Sequence, residues 1–284
     1  MTLRDGPGRP SSGQADASRL TELVETWREA IAEFVALARD VPADQWHLAT
    51  DLDGWSVKDN VAHTAHLEAV LAGEPEETIA VAEAPHLKNL TSYYTEQGVL
   101  ARRDRDMASL ADEIEQAAAK RYAELLADPP TDGAAAPPIT PGGVPWNNDT
   151  LLNNRPLDVW MHEQDIRRAI GRPGGYGTAI AQHVLHRLAG GLPMVLGKRV
   201  APPIGTSVRI DVPEAGASWS AAIGDDGRAT ATDQLAEPTV LITLTAEEFV
   251  VLAGGRRPVE ATNPEFTGDA ELGRAVLANL SVTP

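Results

Sequence analysis

The stretch RPLDVWMHEQDIRRAIG, residues 155–171, reads as one helix of about four turns, stopped by Gly171 and then by Pro173. Asp158 and His162 are four apart and stack on one face. Asp165 returns to that face, which also carries Leu151, Met161 and Ala169. An apolar face of this kind meets the rest of the protein, and charges on it are costly to bury unless they are paired or bind metal. Glu163 and Arg167 fall elsewhere and read as surface charges.

Working back from this helix, three more amphipathic segments appear. Leu20, Leu23, Val24, Trp27, Ile31, Phe34, Val35 and Ala38 recur at three and four, which predicts a helix over 18–39 ended by Pro42. Ser56 and Asp59 form a capping-box pattern that opens a second helix, running to about Ala72 and stopped by Gly73 and Pro75. His63 shares a side with Leu67 and Val70, and His66 is offset from it. Residues 74–100 are less regular, with an acidic run at Glu74, Glu76 and Glu77. Met107 to Leu126 is the third long helix, ended by Pro129 and Pro130. Thr150 or Asp149 is the candidate cap of the helix that holds Asp158, and Pro156 marks its early turn. Four such segments predict an antiparallel four-helix bundle over 17–172, after a flexible Gly/Pro/Ser tail at 1–16.

GRPGGYG, 171–177, is the strongest linker signal in the chain. Beyond it the pattern changes. A helix over Ala179–Leu196 is followed by strand-like runs at Ser207–Val212, Ser218–Ile223, Ala229–Thr232 and Thr239–Leu244. Thr245 and Glu248 form a second capping box, and Asp269 caps a last helix. Residues 178–284 therefore read as a small α+β domain with a mainly antiparallel sheet.

Composition sets limits. With 24 Lys+Arg against 41 Asp+Glu, the formal net charge of −17 repels nucleic acid and anionic membranes. There is no cysteine, so no disulfide, thiolate metal site or internal thiol nucleophile is available. The first residues lack the apolar core of a signal peptide, and no run of about 18 apolar residues exists, so a cytoplasmic protein is expected.

Placed on facing helices, His63, Asp158 and His162 offer two imidazoles and a carboxylate, a ligand set suited to a divalent metal, zinc above all. Three protein ligands leave a position open, as catalytic sites do. His66 and Asp165 are candidates to hold the ligands in orientation. The plainer reading also stands: a hydrogen-bonded core histidine beside a buried Asp158–His162 ion pair. Arg155, Arg167, Arg168, Arg256 and Arg257 are candidate handles for a carboxylate, and Trp55, Trp146 and Trp160 candidate walls of a cavity.

WSVKDNVAH (55–63) followed by RPLDVWMHEQDIRRAIGRPG (155–174) resembles the mycothiol-dependent maleylpyruvate isomerase family, within the DinB-like metal-binding bundles. The resemblance runs the length of the chain, since TGDAELGRAVLANL (267–280) is similar to the end of that family's small sterol-carrier-like α+β domain. It implies metal ligands at His63, Asp158 and His162. The isomerase carries Glu as its carboxylate; Asp158 is one methylene shorter. It implies two cofactors, Zn²⁺ and mycothiol, the low-molecular-weight thiol of actinobacteria. The thiol would add to a small electrophilic, often acidic substrate, by S-transfer or cis–trans isomerisation. Trp55, Trp160 and Arg155 are then expected around the cofactors. Arg256 and Arg257 are expected to act on substrate, at a cleft that the second domain partly covers. A monomer or homodimer is expected. The alternatives are a non-catalytic metal or small-ligand binder, and a hydrolase that uses zinc-bound water.

Overall fold

The computed structural model describes residues 12–233 and 235–283. The chain divides into two compact units, one ending at Pro173 and the other starting at Gly174.

Among its described residues the first unit holds five α-helices: α1 (Ser12–Asp40), α2 (Val57–Leu71), α3 (Leu90–Arg102), α4 (Met107–Ala127) and α5 (Asn148–Ala169). α1 and α2 each pack on both α4 and α5. The ring order is therefore α1–α4–α2–α5, a four-helix bundle, with α3 added against α2. Every residue of α2 is buried. A helix buried all round is a central element, and each polar residue on it needs a partner inside the protein. α2 carries an unusual polar load: Lys58, Asp59, Asn60, His63, Thr64, His66 and Glu68. The Ser56–Asp59 capping box starts it as the sequence indicates. Gly73, at φ +88°, lies just past its end.

Several local expectations change. The first helix starts at Ser12, so residues 12–16 belong to it; residues 1–11 of the expected tail lie outside the described residues. α3 begins inside the stretch read as irregular and runs just past it, opened by a capping box between Asn89 and Ser92. α5 starts earlier than expected and is capped by Asn147, whose side chain accepts from the Thr150 amide, not by Asp149 or Thr150. Pro156 accordingly lies inside the helix, where it removes the amide that would bond one turn back.

The second unit carries α6 (Ala179–Ala189), a one-turn α7 (Leu192–Met194), β1 (Ser207–Val212), β2 (Ala217–Ile223), β3 (Ala229–Thr232), β4 (Val240–Thr243), α8 (Ala246–Ala253), β5 (Glu265–Gly268) and α9 (Ala270–Ala278). The helix expected through Leu196 ends at Ala189, ahead of two glycines, and Val195–Val200 continues as a π-helical turn. The five-stranded sheet has the order β3-β2-β1-β4-β5. All its pairings are antiparallel except β1–β4. Val208, Ile210 and Val212 alternate inward, and on that face Trp219 of β2, opposite Ile210, stacks on Phe249 of α8 with ring centroids 5.1 Å apart. The architecture is an α-helical bundle followed by a small α+β domain.

Candidate metal centre

α2 and α5 are neighbours in the bundle, and their polar residues meet. His63 of α2 with Asp158 and His162 of α5 offer ligand atoms that all lie within 4.8 Å of one another. His63 Nε2 is 3.6 Å from Asp158 Oδ2, and His162 Nε2 is 3.6 Å from Asp158 Oδ1. These gaps exceed hydrogen-bond length. They match the separation of two ligands sharing a tetrahedral ion, about 3.4 Å for bonds of about 2.1 Å. The imidazole rings lie 4.7 Å apart in an edge-on arrangement. The donors fit a divalent ion in kind and spacing.

Protonation favours the same use at His63 and Asp158. Burial pushes His63 down to about 4, against the opposing pull of Asp158, so its imidazole is neutral at physiological pH. Burial alone would raise the Asp158 carboxyl, but Arg155, then His162, outweigh it and hold the group well below the usual carboxylate range. Burial would lower His162, yet Asp158 beside it turns the shift upward. A divalent cation bound beside Asp158 would have to displace that proton from His162.

Asn60, one turn before His63, orients His162. Its Nδ2 donates to the Ser56 carbonyl at 2.9 Å, so its Oδ1 faces His162 Nδ1 at 2.8 Å. Nδ1 is then the protonated nitrogen, and the Nε2 lone pair points toward Asp158. Asp165, fully buried, lies 3.5 Å from the same Nδ1 and pairs with Arg168, which also donates to Asp51 at 2.6 Å. Trp55, just before the α2 cap, packs on both imidazoles, with centroids 4.9 Å from His63 and 5.8 Å from His162. Its Nε1 donates to Glu96 of α3 at 2.9 Å, which fixes the plane of the indole. Asp158 is the open side of the cluster, its side chain 30% exposed against 4% and 7% for the two histidines.

Other candidates lie elsewhere. His66 is buried but turns to α3, near the Tyr94 ring at 5.3 Å; neither of its nitrogens has a hydrogen-bond partner, and it holds no ligand. Trp160 is buried in the bundle core. Glu163, read as a surface charge, is also buried, and Arg167 Nε donates to it at 2.7 Å. Arg155 is not an open handle for a cofactor: it is 2% exposed, and its guanidinium is taken up by Glu68 and Asp158. Arg256 and Arg257 follow α8 in the second unit, half-buried, and Arg256 Nη1 donates to the Gly254 carbonyl at 2.8 Å. Asn60, Glu68 and Glu96 were missed by the sequence reading. Asn60 and Glu68 share a helix with His63, and the only available signal was how polar that helix is between its apolar positions.

Residues 27–167 match the family model described as the mycothiol maleylpyruvate isomerase N-terminal domain. No curated protein matches the chain at a significant level. Two solved structures share its fold. The crystal structure of the mycothiol-dependent maleylpyruvate isomerase is 18% identical and matches over 84% of this chain and 90% of that one, with a TM-score of 0.54. A histidine-to-alanine mutant of the same isomerase is 16% identical over 87% of this chain and 92% of that one, also with a TM-score of 0.54.

Proposed function

Since residues 27–167 match the model of the mycothiol maleylpyruvate isomerase N-terminal domain family, we propose that this chain is a zinc- and mycothiol-dependent enzyme, a transferase or isomerase acting on a small electrophilic, acidic substrate. One observation carries the reading: two imidazole nitrogens each stand 3.6 Å from a different oxygen of one carboxylate, too far to bond it directly and well placed to share an ion.

His63, Asp158 and His162 would hold the metal and leave a position open on the Asp158 side. A divalent ion there supplies the deprotonation of a thiol at neutral pH. The chain has no cysteine of its own, so the thiol comes from outside. Trp55 covers the two imidazoles and keeps water from that side. Asn60 and Asp165 hold His162 in one tautomer. A thiol so held would supply a nucleophile for an activated double bond, giving the other geometric isomer if it is lost again after rotation, or a conjugate if the adduct takes up a proton and keeps it. Arg256 and Arg257 remain our candidates for binding the substrate's carboxylate. We propose a cytoplasmic location, where low-molecular-weight thiols are kept reduced.

The test is direct. Purified protein should hold about one zinc per chain and turn over maleylpyruvate, the substrate named for its structural relative, or a related unsaturated acid, only with mycothiol present. His162→Ala should lose the metal and the turnover together. Hydrolysis that proceeds equally well without thiol would replace this reading with a zinc-water hydrolase. A metal-free, inactive protein would leave a binding role.

A further inference from the structure

Glu68 sits at the centre of the bundle, fully buried, where one side chain from each of the other three helices of the ring reaches it. Trp27 Nε1 of α1 donates to its Oε1 at 3.2 Å. Arg155 of α5 donates to the same oxygen through Nε at 3.1 Å and Nη2 at 2.6 Å. Arg121 of α4 brings Nη1 to 3.6 Å from Oε2 and lies over the Trp27 ring at 4.5 Å. The third nitrogen of Arg155, Nη1, donates to Asp158 Oδ2 at 2.9 Å. Two buried arginines thus face two carboxylates, Glu68 and Asp158.

Such an assembly is a poor way to stabilise a bundle. Desolvating these charges is costly, and well-packed apolar residues often do as well or better. Its geometry, however, is specific. Arg155 has a planar fork, and the Glu68 end of that fork is locked by two donated hydrogen bonds. The remaining arm is therefore held in one direction, and it points at the metal-site carboxylate. The Glu68–Arg155 pair also ties α2, which carries His63, to α5, which carries Asp158 and His162.

We infer that Arg155, anchored by Glu68, is a positioning residue for Asp158: it fixes the short carboxylate in the orientation that lets it join His63 and His162 around one ion. The inference rests on the metal reading above. Arg121 shares the same buried cluster but does not reach Asp158 and serves only to balance Glu68. Arg121 is therefore the internal control, because its loss should damage packing and charge balance without moving the ligand.

The experiment is a titration of metal-stripped full-length protein with Co²⁺, followed by its visible absorption and by competition with a chelator, alongside thermal melts. The variants are Arg155→Lys, Arg155→Met, Glu68→Gln and Arg121→Met. Arg155→Met should weaken Co²⁺ binding about 10–100-fold, the usual cost of losing a partner that orients a ligand, and should alter the Co²⁺ bands. Arg155→Lys should recover only part of this, since an ammonium lacks the fork. Glu68→Gln should weaken binding less than Arg155→Met. Arg121→Met should lower the melting temperature and leave the affinity and spectrum of the folded protein unchanged. If Arg155→Met fails to fold, the lysine and Glu68→Gln variants decide the matter. Unchanged Co²⁺ affinity and spectrum in folded Arg155 variants overturns the positioning role while the metal reading stands. Equal weakening by Arg121→Met also overturns it, showing a general packing effect. A wild-type protein that takes up no Co²⁺ overturns the metal reading, and this inference with it.

Discussion

Asn60 accepts a hydrogen bond from His162 Nδ1 at 2.8 Å, and that bond decides which nitrogen of the imidazole faces Asp158. The amide has no freedom to turn, because its other end donates to the Ser56 carbonyl. Replacing Asn60 with Ala leaves a buried Nδ1–H without this acceptor. Metal affinity should fall about 10–100-fold, and stability by about 1–3 kcal/mol. Chelator competition and urea unfolding read the two effects separately. An Asn60→Ala protein with wild-type affinity would show that Asp165 alone sets the tautomer.

Asp158→Asn keeps the shape of the ligand and removes its charge. Arg155 then loses its anionic partner on that arm, and the two imidazoles lose the group between them. Metal content after dialysis should drop to near zero, with turnover lost in parallel. Asp158→Glu should retain metal, because carboxylate chemistry is kept and only reach changes. Full zinc content in Asp158→Asn would remove this residue from the ligand set.

Gly98 of α3 lies under the His66 ring so closely that a Cβ there would stand 2.1 Å from His66 Cγ. Alanine is the better helix former by about 1 kcal/mol, yet overpacking of this kind costs about 1–3 kcal/mol. Gly98→Ala should therefore destabilise the protein. In a His66→Ala background the same change should turn neutral or favourable. A double-mutant cycle by urea unfolding measures the coupling, and strict additivity would mean that α3 simply moves aside.

Burial, with Arg102 adding to it, pushes His66 down to about 3, whereas the unfolded chain titrates near 6.5. Between these values the unfolded chain binds a proton that the folded one refuses. The stability tied to neutral His66 is thus complete above pH 6.5 and declines as pH falls toward 3. The urea midpoint of metal-free protein should drop between pH 7 and pH 5. His66→Leu should make that slope shallower, leaving the share due to His63, and an unchanged slope would place the acid sensitivity elsewhere.

The sequence was most informative where one helix face had to be both apolar and chemically equipped. The four-residue step from Asp158 to His162, and the Ser56–Asp59 capping box that sets the register of α2, are local patterns, and the structure follows both. α3 was less visible, because LTSYYTEQGVLAR mixes β-branched residues and a glycine into its period. β5 was missed for a related reason: in Glu265–Gly268 only Phe266 is apolar, too little to show alternation. The partners of the site, Asn60 and Glu68, were hidden differently. A polar residue on a helix reads as exposed by default, and only the packing of α2 on several sides buries them. Arg155 misled for the same reason, since nothing in the chain says that a glutamate far upstream waits for it.

The ring order of the bundle has a consequence for how the protein is made. α1 and α2 emerge first but sit diagonally, and each needs α4 and α5 to complete its surroundings. Of the three proposed ligands, a nascent chain halted before α5 presents His63 alone, one imidazole without its carboxylate or its second histidine. Metal uptake is thereby deferred until the last helix has docked. An ion held there would act as a clasp on the finished bundle, slowing its opening, and could not serve as a seed around which the early helices gather.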